Sequence, residues 1–382
     1  MPVRVLIAGV STRALAVSAA RAGHLVTALD AFGDLDLRRV AEVISMRTEL
    51  GPRFTPTAAA AEAELLRCDL ATYTSNFENY PAAVGRLATG RQLLGNPPAV
   101  LTRVRDPIAL MRRLRHRGFA VPATRSTSPP GRQSRGAWLL KPRRSGGGHG
   151  TAVWVNTQRV PRSHYLQESI AGVAGSVLFA ADGRRSAPLG MSRQLVGDAH
   201  FGSSGFRYCG SLVGPPAALF PGQAGLLEIA ARLASAVAED FQLVGLNGVD
   251  FVARGGVPYP IEVNPRYCAS MELVERAHGL SIFAVHAGAS RGSLPCEPVV
   301  PTQVDGKAIV FARRDVILGD TRSWVERDFL ADIPYPGEKI GQGHPICTVF
   351  ARAKDASTCY HMLRKRAAAV YRDAESGKRH AA

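Results

Sequence analysis

The chain has 382 residues, of which 46% are hydrophobic and 20% charged, and a formal net charge of +16. This is the composition of a globular soluble protein too long for one core, so two or three domains are expected. No run of about 18 apolar residues occurs, which excludes a transmembrane helix. Six cysteines are scattered without a CxxC pair, which argues against a zinc site or disulfide framework and for buried free thiols.

The positive charge admits two readings, nucleic-acid binding or an anionic small-molecule substrate. Basic residues are spread along the chain, with short clusters at Arg112-Arg113, Arg143-Arg144 and Lys365-Arg366. None is interleaved with aromatic residues as a stacking platform for bases would be, so nucleic acid is disfavoured. Of the 47 basic residues only six are lysines, and Lys141 is the single lysine in the first 306 residues. A position that resists such a bias towards arginine calls for a compact ammonium rather than a planar guanidinium.

In chain order, the first residues carry an early Arg4 and an apolar run superficially like a signal peptide. The run breaks at Gly9, so it is better taken as a first β-strand, with the cytoplasm as the expected compartment. Strand 3–8, a helix over roughly 12–22 and strand 25–30 form a strand–loop–helix–strand unit of the doubly wound kind. The loop lacks GxGxxG, which leaves a dinucleotide claim weak. Strand 69–74, helix 78–88 and strand 92–95 continue the alternation up to Asn96-Pro97-Pro98. A helix is expected from Asp106 to Gly118, with Pro107 in the first turn, followed by a loop over 126–136.

Strand 138–141 then leads into Ser145-Gly146-Gly147-Gly148-His149-Gly150 and a strand over 151–155. A glycine-rich loop between strands lets backbone N–H groups close over phosphate oxygens, and a strand-end lysine can pair with the same oxygens. It is not a Walker A loop, which requires GK[ST] opening a helix. The competing reading is a plain hairpin tip; the isolation of Lys141 favours phosphate. A strand and bend over 164–172, a strand over 176–181 and a strand over 191–197 follow. Phe201–Gly210 forms a glycine- and serine-rich loop, and 221–239 an amphipathic helix.

Residues 246–271 carry the sharpest pattern: strand 248–252, a turn at Arg254-Gly255-Gly256, and strand 259–264. Side chains at i and i+2 share a face of a strand, so Asp250, Glu262 and Asn264 can point the same way. Two carboxylates and an amide oxygen make a hard, oxygen-only set suited to Mg²⁺. Arg266 follows Pro265 at the strand end. The bland reading, surface acids on a hairpin, does not account for the asparagine two residues past the glutamate or for the arginine after the proline.

This order of elements, with VDF and EVNPR as its most specific pieces, resembles the ATP-grasp superfamily, in particular its ligases related to biotin carboxylase. The resemblance implies an α/β and α+β protein with three parts. These are a Rossmann-like pre-grasp domain over 1–98, a two-subdomain grasp core over 99–297, and a small β-rich C-terminal domain over 298–372; 373–382 would be a tail. It implies ATP and Mg²⁺ (with Mn²⁺ as the alternative ion) bound between the subdomains. Asp250, Glu262 and Asn264 would hold the metal, and Lys141 the phosphates under the 145–150 loop. Gln167, Glu168, Ser169 and Ile170 would line the adenine, and Arg266 would face the acyl-phosphate end as the catalytic cation with Lys141.

Three departures stand out. The lysine that opens the grasp region is absent, with only Arg103 and Arg105 nearby. The adenine-hinge acid falls on Gln167, and Ala174 stands where a ribose-binding acid often sits. The implied activity is an ADP-forming carboxylate–amine ligase acting on anionic small molecules, with an amino acid such as glutamate joined to a one-carbon carrier precursor as the suggested pair. A homodimer is compatible with it. No general base can be named: His200, His278 and Glu272 are available, but each is better accounted for by packing or the surface. Alternatives are a bicarbonate-using carboxylase and a nucleotide-binding regulatory protein with a degenerate site.

Overall fold

The computed structural model describes residues 2–47, 49, 54–128, 137–155, 159–296 and 301–376. The N-terminal part alternates strand and helix: β1 (Arg4–Gly9), α1 (Arg13–Arg21), β2 (Leu25–Asp30), α2 (Leu35–Arg38), β3 (Glu42–Ser45), α3 (Pro56–Ala63), β4 (Leu70–Tyr73), α4 (Pro81–Leu87) and β5 (Gln92–Leu93). The strands are parallel in the order β3-β2-β1-β4-β5. β1 is an unbroken apolar run because helices cover both faces of such a sheet. Since β1 lies between β2 and β4, the chain reverses its winding direction there, and the loops at the carboxyl ends of β1 and β4 open into a crevice.

Two short helices, α5 (Pro98–Val104) and α6 (Pro107–His116), lead onward. The Asp106 carboxylate caps α6 by accepting from the N–H of Ile108 and Ala109, with Pro107 in the first turn as the sequence predicts. A small sheet follows, of β6 (Thr124–Arg125), β7 (Trp138–Pro142), β8 (Ala152–Val153) and β9 (His164–Glu168), in the order β6-β9-β7-β8. β8 is shorter than the expected 151–155. β9 ends at Glu168 and a bend follows by Gly172, as expected for 164–172. Most of the 126–136 loop lies outside the described residues.

The central sheet is antiparallel: β10 (Val173–Asp182), β11 (Ser186–Val196), β12 (Tyr208–Val213), then helices α7 (Pro216–Leu219) and α8 (Leu226–Phe241), then β13 (Val244–Arg254) and β14 (Val257–Asn264). α8 starts five residues later than the sequence predicts and packs its leucine and alanine face under β10 and β11. Helices α9 (Met271–His278) and α10 (Ile282–Ser290) carry the chain back against the N-terminal part, where α10 packs on α1 and on β13. His286 of α10 is buried at this junction. Leu246 N–H donates to its Nδ1 at 3.0 Å and its Nε2 lies 2.9 Å from Thr72 Oγ1, so the ring is neutral; burial pushes its pKa down to about 4.

Beyond Thr302 the chain adds β15 (Val304–Phe311), β16 (Val316–Ile317), β17 (Leu330–Ala331), β18 (Lys339–Ile340), β19 (Pro345–Ala353) and the 21-residue α11 (Ala356–Ser376). β15, β19 and β17 extend the central sheet to eight strands, in the order β14-β13-β10-β11-β12-β15-β19-β17. Three of the C-terminal strands therefore share one sheet with the core, because β15 pairs with β12, while β16 and β18 form a separate two-stranded sheet. α11 covers them and runs three residues past 373, where the tail was expected; 377–382 lie outside the described residues. Among the described residues no helix is long and apolar enough to cross a membrane.

Candidate active site

A cleft of about 300 Å³ runs between the small sheet and the central sheet, and the segment after β4 touches the glycine loop at its edge through Asn79. Its floor is the β13–β14 hairpin. The register pairs Asp250 with Glu262 and Gly248 with Asn264, so the two carboxylates stand side by side and Asn264 lies on the same face. Burial and the adjacent Glu262 charge push the Asp250 carboxyl up to about 6. Burial pushes Glu262 up as well, but the cations Arg105 and Lys141 outweigh it and hold Glu262 below the usual range.

The expected metal residues are thus brought together. Asn264 Nδ2 donates to Asp250 Oδ2 at 3.0 Å, and its Oδ1 accepts from Arg266 Nη2 at 3.1 Å. The donor set suits a hard divalent cation: two carboxylates crowded enough to repel each other, and an amide oxygen beside them. It is not a cage. Among the described residues no three His, Cys, Asp or Glu side chains cluster as metal ligands. A Mg²⁺ ion held by one or two carboxylates takes its other oxygens from phosphates and water.

Lys141, at the end of β7, donates from Nζ to Gln167 Oε1 at 3.0 Å, and Gln167 Nε2 in turn donates to Ile261 O at 3.2 Å. Gln167 therefore positions the ammonium. Ser145, Gly146, Gly147 and Gly148 line the cleft with Lys141, whereas His149 and Gly150 lie outside its lining. His149 instead closes the loop on itself, its N–H donating to Gly146 O and its O accepting from Ser145 Oγ. Burial and nearby Arg207 push its imidazole pKa down. Gly148 has φ +76°, and a Cβ there would lie 1.8 Å from Phe206 O, so only glycine fits.

At the other end Gln167, Glu168, Ser169 and Ile170 line the cleft. The N–H groups of Glu168 and Ser169 already donate to Ala123 O and Ala137 O, both at 2.8 Å, so neither is free to read a base.

Of the two candidate arginines, Arg103 turns away to Phe241 O and Gln242, and Arg105 enters the cleft. Arg105 is a junction. Its Nη1 donates to Glu262 at 2.5 Å and Val263 O at 2.9 Å, and its Nη2 to Asn79 Oδ1 at 2.8 Å and Ser145 O at 3.0 Å. Sequence reasoning missed Glu78 and Asn79, which follow β4. Glu78 is fully buried and accepts from Arg266 Nε at 2.9 Å, and Asn79 Nδ2 donates to Ser145 O at 3.3 Å. Burial opposes the Arg266 charge, but Glu78 beside it holds the guanidinium protonated. The available signal was their position at the carboxyl end of a strand neighbouring β1, where an open parallel sheet places its ligand contacts.

None of the candidate general bases lines the cleft. Glu272 is buried against Arg13 and Lys307, and His200 sits 2.9 Å from Asp198 on a surface turn. Cys268 does line it, but burial pushes its thiol up to about 12, which leaves it no nucleophile.

Residues 104–270 match the family model of the ATP-grasp domain. An uncharacterized protein of Methanocaldococcus jannaschii is 31% identical over 116 residues, 30% of this chain and 28% of that one, so the chain spans under a third of the curated relative it matches. Biotin carboxylase from Campylobacter jejuni, in complex with β,γ-ATP, superposes with a TM-score of 0.71 at 14% identity over 94% of this chain and 89% of that one. N5-carboxyaminoimidazole ribonucleotide synthetase from Thermus thermophilus gives 0.66 at 19% identity over 94% and 96%. At these identities the likeness establishes the fold, and it bears out the α/β and ATP-grasp architecture expected from the sequence.

Proposed function

We propose that this chain, which carries an ATP-grasp domain over residues 104–270, is an ATP- and Mg²⁺-dependent ligase that activates a carboxylate as its acyl phosphate and joins it to an amine. The observation that carries the reading is the Asp250–Glu262 pair, held in register beneath a glycine loop and the isolated Lys141. Mg²⁺ or Mn²⁺ on Asp250, Glu262 and Asn264 would supply charge neutralisation for the transferring phosphoryl group. Lys141 binds phosphate oxygens, oriented by Gln167. Arg105 supplies a second cation at the same end, where the family resemblance leads one to expect a lysine. Gly146 to Gly148 present backbone N–H groups to the phosphates and exclude water. Arg266, fixed by Glu78, Asn264 and Tyr267 O, faces the developing oxyanion when the amine displaces phosphate.

For the acceptor, an amino acid such as glutamate and an anionic precursor of a one-carbon carrier cofactor suit a chain of net charge +16. The setting would be cofactor biosynthesis in the cytoplasm. A second reading, in which bicarbonate is the acid, is favoured by the whole-chain likeness to biotin carboxylase and to N5-carboxyaminoimidazole ribonucleotide synthetase.

The test is ADP release over a panel of paired acids and amines, with hydroxylamine present to trap acyl phosphate. A hydroxamate from one acid, lost in Asp250→Ala and Glu262→Ala, is expected. ADP release that needs bicarbonate and no amine would select the second reading. No hydroxamate and no ADP from any acid would overturn both.

A further inference from the structure

A second cavity, of about 440 Å³, opens on the outer face of α11, against Arg313 and the turn that carries His200. His361, Arg364, Lys365 and Arg372 line it from α11 at helical spacings of three, four and seven, with Ala368 between them as a shallow floor. Arg313 closes the far side; it lies over the Tyr371 ring at 4.0 Å and donates to Ala199 O and His200 O at 3.3 and 3.1 Å.

The charge on this cavity is one-sided. Four permanent cations line it against one acid, Glu375, and that carboxylate accepts from Arg314 at 2.9 Å. The Arg364 Nε is buried without a hydrogen-bond partner among the described residues. This cluster does not belong to the cleft, and no step proposed above uses it.

The ligand's size and class also follow from the geometry. Base stacking needs an open aromatic face, but the Tyr371 ring is covered by Arg313, and Tyr360 meets the edge of His200 while its hydroxyl donates to Asp198 at 2.6 Å. Guanidinium forks and a lysine around a concave floor match phosphate oxygens. We infer that this cavity is a non-catalytic binding site for a compact anion carrying two or more phosphate groups. The turn that carries His200 continues to Phe206 and Tyr208, which line the catalytic cleft, and Tyr208 N–H donates to Gly147 O at 3.0 Å. The two sites therefore share one loop.

Calorimetric titration of inorganic tripolyphosphate into the full chain tests this, with Lys141→Ala in the background to weaken phosphate binding in the cleft. Lys365→Glu with Arg372→Glu, both exposed positions, should weaken binding at least about tenfold, the loss of two charge-assisted contacts. Arg112→Glu with Arg115→Glu makes the same charge change on α6 and should weaken it less than about twofold through screened long-range attraction. Lys365→Ala with Arg372→Ala should reproduce the loss without reversing charge, and circular dichroism checks that each variant folds. Equal loss in the α6 and α11 variants, or no binding to the parent, would overturn the proposal. Tighter binding of a single-stranded oligonucleotide through the same α11 residues would overturn the compact-anion class.

Discussion

Two buried charge clusters flank the junction between the N-terminal sheet and the rest of the molecule, and they are resolved in opposite ways. In the first, Glu272 at the start of α9 accepts from Arg13 of α1 and from Lys307 of β15 at 2.7 Å, while Arg13 also reaches Asp332 at 3.0 Å and Asp36 at 3.6 Å. Burial pushes Glu272 up, but its two cations outweigh that and hold it well below the carboxylate range. Asp34 and Asp36, at the edge, are pushed up, first by burial and then by the Asp332 charge, with Arg13 opposing this at Asp36. In the second cluster, the cleft, Asp250 has an amide for a partner and a carboxylate for a neighbour. In the first cluster each cation meets carboxylates of the chain itself, which ties α1 to α9 and β15. The second leaves a carboxylate whose charge calls for a cation from outside, as binding sites do.

The comparison breaks most visibly if the first cluster is opened. Glu272→Gln takes the carboxylate from buried Lys307 and one of three from Arg13, and should cost about 3–5 kcal/mol of stability at neutral pH, read from urea unfolding. The Glu272 carboxyl is depressed in the folded state, so its contribution is full above the unfolded value of roughly 4.3 and is lost progressively as pH falls below it. The variant should therefore lose less relative to wild type at pH 3 than at pH 7. A deficit that does not change with pH would show that Glu272 acts by packing.

In the cleft, Glu78→Gln keeps the shape but removes the charge that fixes Arg266, and should lower the rate of ADP formation about 10²-fold with little change in the KM for ATP. A pure KM effect would place Arg266 on the nucleotide rather than on the acyl end. Asp250→Asn should do the reverse of Glu272→Gln. Asp250 is raised to about 6 when folded, so its ionised form destabilises the ligand-free protein above that pH and not below about pH 4. The substitution should add up to about 3 kcal/mol at pH 8 and nothing near pH 4, while removing the metal dependence of nucleotide binding. The smallest effect is expected at Lys141→Arg, about tenfold in nucleotide affinity, because Gln167 positions a compact ammonium there.

What the sequence disclosed follows the range of each interaction. Asp250, Glu262 and Asn264 lie on one hairpin, where alternation and a tight turn settle which side chains share a face. Lys141 stood out through composition alone. Glu78 could not be paired with Arg266 in this way, because 188 residues separate them and only the packing of β4 against the hairpin end brings them together. Arg103 and Arg105 were indistinguishable by type and are separated by where α5 ends. The C-terminal strands look like a separate domain as a string, because the pairing of β12 with β15 that joins them to the core leaves no local mark. His149 sits in a phosphate-type loop but serves the turn itself.

The central claim is that Asp250 and Glu262 hold a divalent cation against a nucleotide. Electron paramagnetic resonance of Mn²⁺ titrated into the protein with and without ADP tests it most directly. Protein-bound Mn²⁺ that tightens with ADP in the wild type and disappears in Asp250→Asn and Glu262→Gln is the predicted result. Mn²⁺·ADP binding that persists unchanged in both variants would contradict it.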